Sequence, residues 1–170
     1  MKKSFLHWGF TIFQGIIIFL LGIWQFAFPV KSLTVTGIVF LLAGIAGFAE
    51  WFLSRDFDRH TGDFLWGILT GICGIFVLMG VGEALQVFLS AFWMIISGIW
   101  LFARGQALQW ISNLSWVITI MGCIIVVFGL LVAFNPQALT NGILGNLPYL
   151  LTGLTIFGIA TLKKKIFQDW

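Results

Sequence analysis

The residues of this chain that could do chemistry are few, and they lie at the ends of apolar runs or in the flanks between them. Glu50, Asp63 and Glu83 border apolar runs, and His7 and His60 lie in polar flanks. Functional sites inside membranes usually contain an ionisable side chain near the bilayer centre, and no apolar run of this sequence carries one there. A proton- or sodium-coupled pump would therefore lack its simplest mechanism.

Glu50 and Arg104 are the two charged residues whose spacing suggests a contact. They are separated by 54 positions, close to the period of the internal repeat described below, so both are predicted at about the same depth. Two interpretations stay open. The residues form an ion pair that locks neighbouring hairpins or acts as a pH-sensitive latch, or each side chain reaches interfacial water independently.

Motifs for catalysis and for cofactor or metal binding are absent from the sequence. It contains no Ser/His/Asp set, no phosphate-binding glycine loop and no HExxH motif. Cys73 and Cys123 lie in apolar runs without a CxxC or Cys/His arrangement. The net charge of +3 is spread along a predicted membrane face, which argues against nucleic-acid binding. We expect a protein that is not an enzyme and has no cofactor.

Six apolar runs must position these residues. The chain is 60% hydrophobic and 9% charged, whereas a soluble domain has about a quarter of its residues charged. A transmembrane helix needs about 20 mostly apolar residues, and six such helices fit into 170 residues. The predicted helices cover residues 8–28, 33–54, 64–82, 85–103, 115–134 and 143–162. The sequence thus predicts an all-α integral membrane protein, one transmembrane domain over residues 1–170, with the lipid bilayer as its partner.

Glycines at fixed spacing indicate an internal repeat. A seven-residue spacing places residues along one stripe of a helix, where small side chains let helices pack closely. The first helices of three hairpins carry Gly15, Gly22 and Pro29, then Gly67 and Gly74, then Gly122, Gly129 and Pro136; the second helices carry Gly44, Gly98 and Gly153. Because the offsets are 52 to 55 residues throughout, we interpret the chain as three parallel copies of one hairpin, over about residues 8–54, 62–104 and 113–162.

Lysine and arginine predict the orientation of the helices. With the N-terminus inside, the inner segments hold eight basic residues and the outer turns hold only Lys31. This excess places both termini in the cytoplasm. The basic run Lys163, Lys164 and Lys165 is interpreted as a topology anchor, with binding of anionic lipid headgroups as the alternative.

The arrangement of Gly-x6-Gly-x6-Pro followed by a glycine-bearing helix, used three times, resembles the HdeD-like family over about residues 8–162. The sequence departs from that pattern at Val81, where a proline is expected, and at Ala91 and Asn146, which correspond to Gly37. HdeD-like proteins are small six-helix proteins of the bacterial inner membrane that are associated with acid resistance.

The resemblance implies a non-enzymatic, multi-pass protein of the bacterial inner membrane that contributes to acid or envelope stress tolerance. It supplies no catalytic residues. The alternative function is a small channel or facilitator for protons, weak acids or another small solute, along the pseudo-threefold axis between the hairpins. The sequence leaves the transported substrate, homo-oligomerisation and regulatory partners open.

Overall fold

The computed structural model describes residues 2–28, 33–53, 61–80, 82–110, 112–137 and 142–169, and within them the only regular structure is helical. Pro29 of the predicted glycine motif lies outside these residues, as does the end of the first predicted hairpin. The six helices are α1 (Lys2–Ala27), α2 (Leu33–Leu53), α3 (Thr61–Leu78), α4 (Glu83–Ala107), α5 (Leu114–Phe134) and α6 (Gly142–Asp169). The predicted all-α architecture with six helices is confirmed.

Several helices extend beyond the predicted apolar spans. α1 begins at Lys2 rather than near Trp8, and α6 continues to Asp169 rather than ending at Leu162. Lysine is a good helix former, so the basic residues at either end of the chain do not stop a helix. The stretches that are apolar enough to cross a membrane are shorter, at 18 to 24 residues in each of the six helices.

The distribution of side chains fits a membrane environment. Large apolar side chains such as Leu20, Ile45 and Phe88 are exposed on the outside of the bundle, at 55%, 57% and 61% of their surface. The buried set includes many polar and charged side chains, among them Glu50 and Arg104. A protein whose exterior is apolar along six membrane-length helices is suited to hydrocarbon rather than water. We therefore describe the chain as a multi-pass membrane protein.

The helices form a closed ring in chain order, with α6 returning to contact α1. The closest packing occurs in three seams, α1–α6, α2–α3 and α4–α5. Each seam joins the second helix of one predicted hairpin to the first helix of the next one, and the last hairpin closes on the first.

Glycines make these close approaches possible. The nine helical glycines of the predicted motif are all buried, and a Cβ atom added at any of them would lie 3.0 Å or less from an atom of the neighbouring helix. The glycines face each other as Gly15 with Gly153, Gly44 with Gly67, and Gly98 with Gly122. Pro136 is exposed just beyond the end of α5. The glycine stripes thus lie in the seams between hairpins.

Candidate functional site

A buried carboxylate on α2 organises one end of the bundle. Glu50 accepts a hydrogen bond from the Thr11 hydroxyl at 2.7 Å and one from the Gln14 amide nitrogen at 3.1 Å, both on α1. The Lys163 ammonium on α6 pairs with the same carboxylate. The side chains of Lys163 and Glu50 are only 1% and 5% exposed. Three helices therefore meet around one negative charge that is shielded from solvent.

A second buried carboxylate on α3 is held by α4. The Nε atom of Arg104 donates to Oδ1 of Asp63 at 2.8 Å, and Nη2 donates to Oδ2, so the guanidinium binds both carboxylate oxygens. The Trp100 indole also donates to Oδ1, at 2.7 Å. The side chains of Arg104 and Asp63 are 3% and 6% exposed. Paired N–H donors on a carboxylate are among the stronger and more directional contacts in proteins.

The two ion pairs belong to one cluster. Gly47 on α2 packs against Trp66 on α3, and these residues lie about one turn from Glu50 and Asp63, respectively. The two ion pairs therefore lie at the same level of the bundle, where the charge of Arg104 also acts on Glu50. We call Glu50, Asp63, Arg104 and Lys163 the charge cluster. Its four side chains sum to no net charge and come from α2, α3, α4 and α6. Burying an isolated charge is very unfavourable, whereas a paired and hydrogen-bonded charge is tolerated.

Changing Arg104 to lysine tests the geometry of the second pair. Arg104→Lys keeps the positive charge but replaces the planar two-donor fork with one ammonium group. We expect the free energy of unfolding to fall by about 1.5–3 kcal/mol, the contribution of one hydrogen bond to a charged group. The loss of stability is measured by unfolding the purified protein in mixed micelles with increasing SDS. An unchanged midpoint would show that the second donor contributes nothing.

Further into the bundle, an aromatic trio fills the space between α2, α4 and α6. The rings of Phe40 and Trp93 stack with centroids 4.6 Å apart, Trp93 and Tyr149 stack at 5.2 Å, and Phe40 and Tyr149 lie 6.0 Å apart. All three side chains are at most 2% exposed. The trio is about ten residues, or roughly 15 Å of helix, from Glu50 along α2. The stacked rings therefore pack α2, α4 and α6 against one another at this level.

At the opposite end of the bundle, three side chains on α1, α2 and α6 form a neutral polar contact. The Gln25 side-chain amide nitrogen donates to the Thr36 hydroxyl at 3.2 Å, and the Asn146 side-chain amide nitrogen donates to the backbone carbonyl oxygen of Gln25 at 3.0 Å. All three residues are buried. The interior therefore has a charged end, an aromatic middle and a neutral polar end.

The sequence left open whether Glu50 and Arg104 pair with each other or reach water independently, and in the structure each is buried and paired with another residue. Glu50 pairs with Lys163, and Arg104 pairs with Asp63. Arg104 still contributes its charge to Glu50, so the equal depth inferred from the repeat placed both residues in one cluster. Asp63 takes the guanidinium because α3 packs directly against α4, and the long lysine side chain reaches Glu50 from α6.

The structure separates Lys163 from the other two lysines of the basic run. Lys163 is directed into the bundle and bonded to Glu50. Lys164 is exposed and lies 5.5 Å from the centroid of the Trp8 ring. The side chain of Lys165 is outside the described residues.

The sequence contains a signal that separates Lys163 from its neighbours. Ile156, Ile159, Ala160 and Lys163 follow the i, i+3, i+4, i+7 spacing of one helix face. The first three are completely buried, and a lysine that continues this face must also point inward. Treating the basic run as a unit missed this difference.

Two further results concern metal binding and similarity to known proteins. Among the described residues, no group of three or more His, Cys, Asp or Glu side chains is arranged to hold a metal ion. No protein-family model, curated protein or solved structure matches the chain.

Proposed function

We propose that this chain is a non-enzymatic integral protein of the bacterial inner membrane, similar to the HdeD-like family, that contributes to acid or envelope stress tolerance. The observation that carries the proposal is the buried charge cluster, in which two carboxylates and two cations connect four helices at one end of the bundle. Ionisable groups inside a membrane bundle are expensive to bury and are by default functional candidates.

The topology that accompanies this proposal is three repeated hairpins with both termini in the cytoplasm. The matching glycine contacts Gly15–Gly153, Gly44–Gly67 and Gly98–Gly122 support a threefold repeat. The excess of lysine and arginine in the predicted inner segments supports the orientation. In this arrangement the charge cluster lies near the cytoplasmic side of the membrane.

Acid would act on the cluster through its carboxylates. Glu50 faces Lys163 from α6, Arg104 from α4, and the neutral Thr11 and Gln14 from α1. Protonation of Glu50 removes the negative charge that balances Lys163, and a buried charge without a counter-charge is unfavourable. Acid strong enough to protonate a Glu50 carboxylate that is paired with Lys163 would therefore loosen the contact between α2 and α6.

Acid survival of a deletion strain tests the proposed function. The wild-type gene is expected to restore survival, whereas Glu50→Gln/Lys163→Met is expected to leave survival at the level of the deletion strain. This double variant removes the titratable carboxylate together with its cation, so it avoids leaving a buried unpaired charge. Membrane abundance of each variant is measured by immunoblotting, and Lys164→Met is the control for loss of a neighbouring exposed lysine.

Two outcomes would contradict the proposal. If deletion of the gene changes neither acid nor envelope-stress survival, the role in stress tolerance is wrong. If the double variant is abundant and protects as well as the wild type, the protein contributes to tolerance but the charge cluster is not the acid-responsive element.

The second candidate function is a facilitator for protons or small weak acids. It is favoured by the buried polar groups that lie on both sides of the aromatic trio, at the charge cluster and at Asn146, Gln25 and Thr36. The stacked trio itself argues for a closed interior. A pH-sensitive dye inside proteoliposomes distinguishes the two candidates, because a facilitator produces proton flux above that of empty vesicles and a purely structural protein does not.

A further inference from the structure

Four buried polar atoms around the aromatic trio have no hydrogen-bond partner among the residues that the structure describes. They are the hydroxyls of Thr70 and Thr152, the indole nitrogen of Trp93 and the amide oxygen of Asn146. The residues that carry them are at most 4% exposed. Leaving such a group unsatisfied costs about 1–3 kcal/mol, and buried groups of this kind in native proteins are usually bonded to ordered water when no protein partner is available.

These four atoms lie around the aromatic trio, with Asn146 on the side of the neutral polar contact and Thr152 on the side of the charge cluster. Trp93 belongs to the trio, and Asn146 and Thr152 are each three residues from Tyr149 on α6, which is about 4.5 Å of helix in either direction. Thr70 lies about one turn from Gly74 on α3, and Gly74 packs against Leu41, the neighbour of Phe40 on α2. All four therefore lie within about one helical turn of the trio.

The chemistry of this set selects the ligand. Trp93 offers an N–H donor, the Asn146 oxygen is an acceptor, and the two threonine hydroxyls are both donors and acceptors. The hydrogen bond from the Asn146 amide nitrogen to the Gln25 backbone carbonyl orients the Asn146 side chain. The Asn146 amide oxygen is then the atom available to a ligand. None of the four groups is charged, so the set gives a bare ion no counter-charge. A small neutral molecule that both donates and accepts, namely water, fits it.

We propose that the interior around the aromatic trio is hydrated, with water molecules on both sides of the rings that bind Thr70, Trp93, Asn146 and Thr152. The site goes beyond the proposed stress function, since it does not depend on the charge cluster. It places water beside the stacked aromatic rings.

Magnetisation transfer from water to the indole N–H groups tests the site in the intact protein. The protein is labelled with ¹⁵N at its tryptophans and placed in lipid nanodiscs, and the Trp93 signal is assigned by its loss in Trp93→Phe. Trp66 and Trp100 are equally suitable internal controls, because both are buried and their indoles are bonded to Ser97 and Asp63 at 3.0 and 2.7 Å. We expect rapid transfer at Trp93 and little at the other two. Absence of transfer at Trp93 would overturn the proposal.

A matched pair of threonine substitutions provides a second readout. Thr152→Val replaces a hydroxyl without a protein partner, whereas Thr155→Val removes a hydroxyl that donates to the Leu151 carbonyl at 2.6 Å. If water occupies the site, Thr152→Val should weaken the transfer at Trp93 and lower the unfolding midpoint, and Thr155→Val should leave the transfer unchanged. A dry interior would instead make Thr152→Val stabilising, because it removes an unsatisfied hydroxyl.

These measurements are independent of the stress and flux assays. Hydration at Trp93 without proton flux would mean static water inside a structural protein, and the inference would stand while the facilitator function fails. Normal acid survival of the deletion strain would likewise contradict the stress function and leave the hydration site intact.

Discussion

Replacing Glu50 with glutamine is expected to lower the free energy of unfolding by about 3–5 kcal/mol, the range for breaking a buried ion pair by removing one partner. The reason is that Glu50→Gln leaves the charge of Lys163 buried without the carboxylate that balances it. Lys163→Met should produce a loss of similar size, since the Glu50 carboxylate then lies buried beside hydrogen bonds from Thr11 and Gln14 only and the more distant charge of Arg104.

The double variant Glu50→Gln/Lys163→Met gives the sharper result. It should recover most of the stability lost in either single variant, because removing both charges also removes the desolvation penalty, and apolar replacements for buried pairs are often neutral. SDS titration in mixed micelles gives the midpoints for the complete double-mutant cycle. Lys164→Met is the matched control. It changes the adjacent exposed lysine and should alter stability by less than about 1 kcal/mol, the scale of an exposed cation–π contact. Additive losses in the double variant would show that Glu50 and Lys163 are not coupled.

The sequence predicts how deep in the membrane a residue lies much better than it predicts which residues that residue contacts. Hydropathy locates each membrane span within a few residues, because insertion depends on the apolar content of about 20 consecutive positions. Depth was sufficient to bring Glu50 and Arg104 into the same cluster. It was insufficient to pair them, because the partner depends on which helices are adjacent and on how far each side chain reaches. Those are properties of the closed ring, in which α3 lies beside α4 and Lys163 extends from α6.

The glycine pattern shows the same limit at the level of helices. The glycine stripes on the odd-numbered and even-numbered helices predict close packing. The sequence of one stripe does not indicate which other stripe it packs against. Short connections favour packing within a hairpin. In the structure the closest seams instead join successive hairpins, where Gly44 on α2 faces Gly67 on α3. Backbone contact between two glycine stripes permits a closer approach than the bulkier faces within a hairpin.

Substitution of Gly44 should have the largest effect among the glycines. A Cβ atom at Gly44 would lie 2.4 Å from the Gly71 nitrogen and 2.7 Å from the Gly67 carbonyl oxygen. These are backbone atoms, so α2 and α3 must move apart to admit even one methyl group. At Gly22, by comparison, the two nearest atoms belong to the side chain of Leu150, which can change its rotamer, and the nearest backbone atom, the Leu150 nitrogen, is farther away at 2.9 Å. We expect Gly44→Ala to lower the free energy of unfolding by about 1–3 kcal/mol, as for other overpacked sites, and Gly44→Leu to lower it further.

The matched control lies in the same seam. A Cβ atom at Gly71 would lie 3.9 Å from the nearest atom, the Gly44 Cα, so Gly71→Ala has room on the side where Gly44→Ala has none. Because alanine favours the helix over glycine by about 0.5–1 kcal/mol, Gly71→Ala should be neutral or slightly stabilising. SDS titration of both alanine variants, with size-exclusion chromatography to detect misassembly, makes the comparison. Equal stability of the two would mean that steric contact between the backbones of α2 and α3 does not determine their packing. A selective loss at Gly44 would instead place the constraint in that contact, because both substitutions add the same methyl group to the same pair of helices.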